Sequence, residues 1–179
     1  VSLVVSLVVP TTGVFANETY GNSAWIDVSS KTSKENIALK KPVTSSTIEN
    51  NQYASYAVDG NENTYWASVN PSELEVDLQG YYKISEINLM AYFDVPANAN
   101  RYYDYEIYAS IDHEKYDLVA EETDTAWNTP QGDTYVFDDT FTARYIKVKI
   151  LKTHAENQPN NNTGHIKELR VYGELDPAY

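Results

Sequence analysis

The sequence predicts an all-β fold, an antiparallel β-sandwich, and three observations predict it. Several short segments alternate apolar and polar residues with a period of two. Clusters of Gly, Asn and Asp punctuate them at spacings of roughly 8–12 residues, the rhythm of a sandwich or barrel. No stretch keeps a helical period over three turns.

The chain begins "VSLVVSLVV", an uncharged apolar run too short to span a bilayer, followed by Pro10 and "VFA". Val14 and Ala16 are small enough for the −3 and −1 positions of a signal-peptidase site, so residues 1–16 are expected to be a signal-peptide remnant and the protein secreted or on the cell surface. A buried strand is the plainer alternative. Residues 17–35 are polar and Ser-rich with one apolar cluster at Trp25, which reads as a linker or loosely docked arm. The folded module is expected over residues 36–174. "ELEVDL" puts Leu74, Val76 and Leu78 on one face, and "YDYEIYAS" does the same with Tyr103, Tyr105, Ile107 and Ala109. "RYIKVKI" turns Ile146, Val148 and Ile150 inward and Tyr145, Lys147 and Lys149 outward; "ELRVYG" puts Leu169 and Val171 on one side. One wet face per strand means antiparallel pairing. "ELDPAY" closes the chain, and residues 175–179 read as the start of a linker.

Composition narrows the function. Apolar residues make up 42% of 179, enough for a core rather than disorder throughout. Asp plus Glu number 26 against 13 Lys plus Arg, a net charge of −13. That balance, with no basic run, argues against nucleic acid and anionic membrane as partners. Exported without a single Cys, the protein is expected to hold together without disulfides, as bacterial secreted proteins do. No HExxH, GxSxG or phosphate-cradling loop occurs, and the acids lie mostly on outward strand faces. The reading is therefore a binding module, not an enzyme.

The stretch "AVDGNENTYW", residues 57–66, carries the chemistry. Asp59, Asn61 and Thr64 are hard oxygen donors, and Gly60 lets the backbone bend between the first two. An EF-hand is excluded: Asp59, Asn61 and Asn63 match its first acidic positions, but the sixth is Thr64 rather than Gly and the twelfth Asn70 rather than Glu. Spacing alone leaves a metal loop and a plain Asx-type turn both open.

"NIALKKPVTSS", "YAVDGNENTYW", "LEVDLQG", "RYYDYEIYAS", "ARYIKVKI" and "IKELRVYGE" together resemble, in order and spacing over residues 36–174, a discoidin domain of the coagulation-factor C type. Within that superfamily they look most like bacterial family 32 carbohydrate-binding modules. The resemblance implies a galactose-binding-domain-like jelly roll of about eight strands. It also implies a structural Ca²⁺ held by the carbonyls of Tyr56 and Asn61, a carboxylate oxygen of Asp59, Thr64 through carbonyl and hydroxyl, the Lys167 carbonyl and the Glu168 carboxylate. Glu168 follows Ile166 in phase toward the interior, where a lone carboxylate is costly unless paired or metal-bound. Pairing with Arg or Lys is the alternative. Trp66 is expected in the core rather than as a sugar platform.

Sugar recognition needs aromatic faces for C–H patches and planar polar groups for hydroxyls. Three loops have that character: the first carries Tyr92, Phe93, Asn98 and Arg101, the second Trp127, the third His154 and Asn157. The plainer readings are Trp127 as a lid on the core, the Asn run as loop filler, and Arg101 as a partner of Asp104 or a nearby Glu. Some positions depart from the pattern of galactose-binding members. Ala67 stands near their His and Phe93 near their Arg, Tyr116 takes a usual Trp position, and the last loop has Asn and His instead of an aromatic. Asn98 matches. A terminal galactose preference is thereby put in doubt. The expected function is a non-catalytic module that tethers an exported multi-domain protein, a glycan-degrading enzyme, to host or surface glycans, including mucin-type glycoconjugates. The alternatives are a protein- or surface-adhesion domain, with Phe93, Val95 and Trp127 as apolar tips, and a structural spacer between other modules.

Overall fold

The computed structural model of the chain describes residues 34–93, 100–123 and 125–179. The expected signal peptide, most of the expected arm, Val95 and Asn98 lie outside the described residues. A compact unit runs from Glu35 to Tyr179.

Among the described residues seven strands build it: β1 Val43–Ser45, β2 Trp66–Val69, β3 Ser72–Ala91, β4 Arg101–Ser110, β5 Asp117–Glu122, β6 Asp133–Ala155 and β7 Thr163–Leu175, with a 3-10 helix at Ala54–Val58. Every pairing is antiparallel, in the order β2-β7-β3-β6-β4-β5, with β1 added beside β3. The four segments legible in the sequence are pieces of longer strands. β3 runs for 20 residues and β6 for 23, because each bends and continues instead of ending.

The bends make the sandwich. Residues 72–77 of β3 pair with 145–150 of β6; after a register break, residues 82–89 pair with 133–143. At the β3 bend Gln79 adopts a left-handed φ of 60°, and its N–H donates to Asp77 Oδ1 at 2.8 Å. Strands that bend and switch sheets place their two halves in different layers. One layer holds β1, the first half of β3, the second half of β6, β4 and β5. The other holds the second half of β3, the first half of β6, β7 and β2. Between them lie Leu74, Val76, Leu78, Tyr103, Tyr105, Ile107, Ile146, Val148 and Ile150, facing Ile84, Ile87, Leu89, Ile166, Leu169, Val171 and Trp66. Each fully buried aliphatic contributes about 1.5–3 kcal/mol. Trp66 is 0% exposed and donates its indole N–H to the Thr47 carbonyl, so it serves the core.

β7 carries one irregularity that matters. Glu168 sits opposite Met90 and Ile166 opposite Ala91, so Lys167 has no partner on β3. This bulge shifts the phase, and Glu168 and Leu169 are both buried although adjacent. Residues 175–179, expected as the start of a linker, close on the sandwich. Asp176 donates its N–H to the Tyr81 carbonyl and accepts from Thr142 Oγ1 at 2.6 Å, and the Tyr81 and Tyr179 rings lie 5.0 Å apart.

Candidate functional site

The 3-10 helix that carries Tyr56 ends on Asp59, and Gly60 follows at φ +81°, a conformation that disfavours any side chain. The Asp59 carboxylate closes the loop on itself, accepting from Asn61 N–H at 2.7 Å and from Thr64 Oγ1 at 2.8 Å. The Asn61 carbonyl accepts from the Thr64 N–H at 3.0 Å and competes with Asp59 for the one hydrogen of the Thr64 hydroxyl, at 2.7 Å. The bulge in β7 aims Glu168 at this loop from 108 residues away. Its Oε1 accepts the Gly60 N–H at 2.9 Å, while Oε2 is buried with no hydrogen-bond partner. Burial pushes the Glu168 carboxyl up to about 7, with the adjoining Asp59 carboxyl adding to the rise and the Gly60 N–H opposing it. Among the described residues no Lys or Arg forms an ion pair with Glu168; Arg170 reaches Glu62 and Asn88 instead. The two acids therefore meet in one cradle, and the pairing alternative does not account for Glu168.

A second assembly forms beside it, where β2, β3, β4 and β7 end together. The rings of Tyr65, Tyr92 and His165 pack at centroid distances of 5.0–5.5 Å. Arg101 lies with its guanidinium carbon 5.1 Å from the Tyr92 centroid and donates Nη1–H to His165 Nδ1 at 3.2 Å. Arginine can only donate, so Nδ1 accepts, and the Tyr103 hydroxyl donates to it as well at 3.1 Å. Burial, then the Arg101 charge, hold His165 down at about 3, so it is neutral at ordinary pH. Burial likewise raises the Tyr103 hydroxyl above its usual range. Lys167, the bulge residue, places Nζ 4.6 Å from the Phe93 centroid and 5.8 Å from that of Tyr92. Contacts of this kind are worth about 0.5–1 kcal/mol each at exposed sites.

The third cluster is built on Tyr102, which neighbours Arg101 on β4. Tyr102 stacks on His154 at 4.2 Å and 9°, and Trp127 leans on Tyr102 at 5.4 Å. Asp104 grips His154 Nε2 with both oxygens at 3.0 and 3.1 Å, so it is not the partner of Arg101. Trp127 is 45% exposed, and therefore not a lid buried on the core. Asn128 anchors its loop by donating N–H to the Arg101 carbonyl and Nδ2–H to the Tyr92 carbonyl. A cleft of about 120 Å³ opens between Tyr102, Trp127, Glu122 and Asp133.

Of the residues anticipated as ligand contacts, Tyr92, Phe93 and Arg101 meet in the second assembly, and Trp127 and His154 in the third. Asn157 sits exposed at φ 60°, where it turns the chain. Asn162 ties the same loop down by donating to the Asn70 carbonyl at 3.0 Å. Sequence reasoning missed His165, Tyr65 and the side chain of Lys167. The signal for His165 is a cross-strand one: it stands directly opposite Ala67, and opposed residues of an antiparallel pair share a face. An imidazole from β7 and a guanidinium from β4 thus meet at this strand end.

The chain belongs to the F5/8 type C domain family, whose model matches residues 41–169. Its sandwich is that of the family 32 carbohydrate-binding modules and their discoidin-like relatives. A family 32 module of NanJ from Clostridium perfringens, solved in complex with galactose, is 29% identical, with a TM-score of 0.60 over 74% of this chain and 93% of that one. Chitosan-binding module 1 of a chitosanase/glucanase from Paenibacillus sp. IK-5 is 26% identical, with a TM-score of 0.61 over 78% and 99%. A family 89 glycoside hydrolase from Clostridium perfringens is 28% identical, with a TM-score of 0.65 over 78% of this chain. The chain spans 14% of that hydrolase's length. No curated protein matches the chain.

Proposed function

We propose that this chain is a non-catalytic carbohydrate-binding module that tethers an exported, multi-domain, glycan-degrading protein to host or cell-surface glycans. The observation that carries the reading is the strand-end assembly of Tyr65, Tyr92, Phe93, Arg101 and His165, which offers aromatic faces beside fixed polar groups. A sugar presents apolar C–H patches and hydroxyls, and such a surface answers both. The exposed Trp127 adds a further stacking face nearby. Single-site contacts of this type are weak, and repeated engagement along a glycan is what makes a tether. Export rests on the apolar N-terminal run, and attachment to a larger enzyme on the likeness to a segment of a hydrolase.

The cradle fits Ca²⁺. Two adjoining carboxylates, one with a buried oxygen lacking any hydrogen-bond partner, stand among hydroxyl and carbonyl oxygens with no nitrogen or sulfur ligand. Asp59 and Glu168 would supply the charge, with Thr64 and the carbonyls of Tyr56, Asn61 and Lys167 completing the set. The ion's part is structural: it neutralises the paired acids and pins the loop at residues 59–64 to β7.

A glycan array probed with and without EDTA tests the function. Binding to at least one sugar class is the expected result. Binding to no glycan, with binding retained to cells stripped of sugar, would replace this reading by the adhesion-domain one.

A further inference from the structure

Of the chain's three arginines, two are neutralised: Arg144 by Asp77 at 2.8 Å and Arg170 by Glu62 at 2.7 Å. Arg101 has no carboxylate partner among the described residues, and neither has Lys167. Lys40, Lys41, Lys149 and Lys152 also form no ion pair among the described residues, so what marks Arg101 and Lys167 is the place they share. Both cations address the same ring, with Arg101 at 5.1 Å and Lys167 at 5.8 Å from the Tyr92 centroid. Arg101 is also held in place by its bond to His165, and its Nε is buried without an acceptor. The rim thus concentrates two positive charges on aromatic walls, set in a strongly acidic molecule.

From this we infer that the rim selects sugars that carry a carboxylate, uronic or sialic acid residues, over their neutral counterparts. The inference rests on the carbohydrate-binding reading and names the ligand class of that site. A neutral hexose would stack on Tyr65 and Tyr92 and satisfy donors with hydroxyls, leaving both charges without a counter-charge. A carboxylate at the ring edge meets the guanidinium or ammonium through charge-assisted hydrogen bonds, roughly twice as strong as neutral ones. Phe93 helps here, because a cation held over a ring face is kept extended toward the rim instead of folding onto a surface acid.

Calorimetric titration of the full chain, in calcium at low salt, tests it with matched probes: galacturonic acid against galactose, glucuronic acid against glucose, and N-acetylneuraminic acid. At least one acid should bind roughly tenfold more tightly than the neutral sugars, with the gap shrinking as salt screens it. The arms tell a uronate from a sialate. Lys167→Gln keeps the backbone carbonyl of the cradle and should reduce the preference several-fold without moving the melting temperature; Arg101→Gln should reduce it further. Equal or tighter binding of the neutral sugars overturns the inference and leaves the carbohydrate-binding function standing. An unchanged preference in both variants, each shown by melting to be folded, also overturns it. Binding of none of the probes and of no arrayed glycan removes both readings together.

Discussion

Two buried side-chain polar atoms among the described residues have no hydrogen-bond partner, Glu168 Oε2 and Arg101 Nε, and their surroundings are opposite in kind. Glu168 on β7 meets another acid and the Gly60 N–H; Arg101 on β4 meets aromatic rings and an imidazole that accepts. An unmet acceptor beside a second acid asks for a cation. Arg101 Nε is itself out of a ligand's reach, so an acceptor, best of all an anionic one, would meet this cationic rim through the guanidinium's Nη groups or through Lys167 Nζ. Residues 165–168 serve both places, His165 and Lys167 in the rim and Glu168 in the cradle. One strand end therefore contributes to two places of opposite charge, the acidic cradle and the cationic rim.

The largest effect expected from that division is on stability. At calcium 100 times its Kd, the native state gains about 2.7 kcal/mol. For a domain of this size that raises the melting temperature by roughly 5–10 °C. Glu168→Gln should abolish the difference between calcium and EDTA while leaving the metal-free protein no less stable than its parent at neutral pH. A calcium-induced shift that survives in the variant would show that the cradle has been misread.

The next effect is the pH dependence of the metal-free protein. The Glu168 carboxyl lies at about 7 in the fold against 4.5 ordinarily. Between those values the native state keeps a proton that the unfolded chain has released, so stability falls as pH rises. In EDTA the melting temperature should drop between pH 5 and pH 7.5, and calcium, by holding both acids ionised, should flatten that slope. Asp77 works the other way and at lower pH. The Arg144 hydrogen bond holds it below its usual range, so its contribution is present above about 4 and lost as pH falls further. A wild-type melting temperature that rises from pH 5 to 7.5 in EDTA would contradict the assigned environment of Glu168.

How much of this was legible in the sequence depends on how local each feature is. The inward rows at Leu74–Leu78, Tyr103–Ala109 and Ile146–Ile150 are visible because strand alternation is local. The meeting of Asp59 and Glu168 was reachable only through resemblance to a family, since 108 residues separate the loop from the β7 carboxylate. The bends at Gln79 and in β6 were hidden, because turn-forming residues there bend a strand that goes on pairing. His165 was hidden for a related reason: nothing near it in the chain marks it, and only the β2–β7 register sets it against Ala67. Arg101 is marked in the sequence as a ligand contact, and of its plainer alternatives the pairing with Asp104 does not form. Asp104 lies three residues along the same strand, on the face where Tyr102 and His154 stack.

The rim can be divided from its neighbour by Trp127→Ala. Trp127 is 45% exposed and touches Tyr102, so its loss should leave the melting temperature within about 2 °C. Binding to an extended glycan should weaken by roughly tenfold, about 1.4 kcal/mol, if the third cluster continues the same binding face. Binding to a monosaccharide should change little, because the Arg101 assembly is built without Trp127. Equal losses for both probes would make the two clusters one site.

Tyr103→Phe gives the smallest and most discriminating effect. It removes only the hydroxyl that donates to His165 Nδ1, and it keeps the ring that fills the core. One neutral hydrogen bond is worth about 0.5–1.5 kcal/mol, so a drop of a few degrees in melting temperature is expected. The Arg101–His165 bond remains, and that nitrogen keeps a donor. If Arg101 is what positions the rim, sugar affinity should fall less than threefold. A loss above tenfold, read by the same calorimetric titration, would transfer the positioning role from the guanidinium to the buried tyrosine.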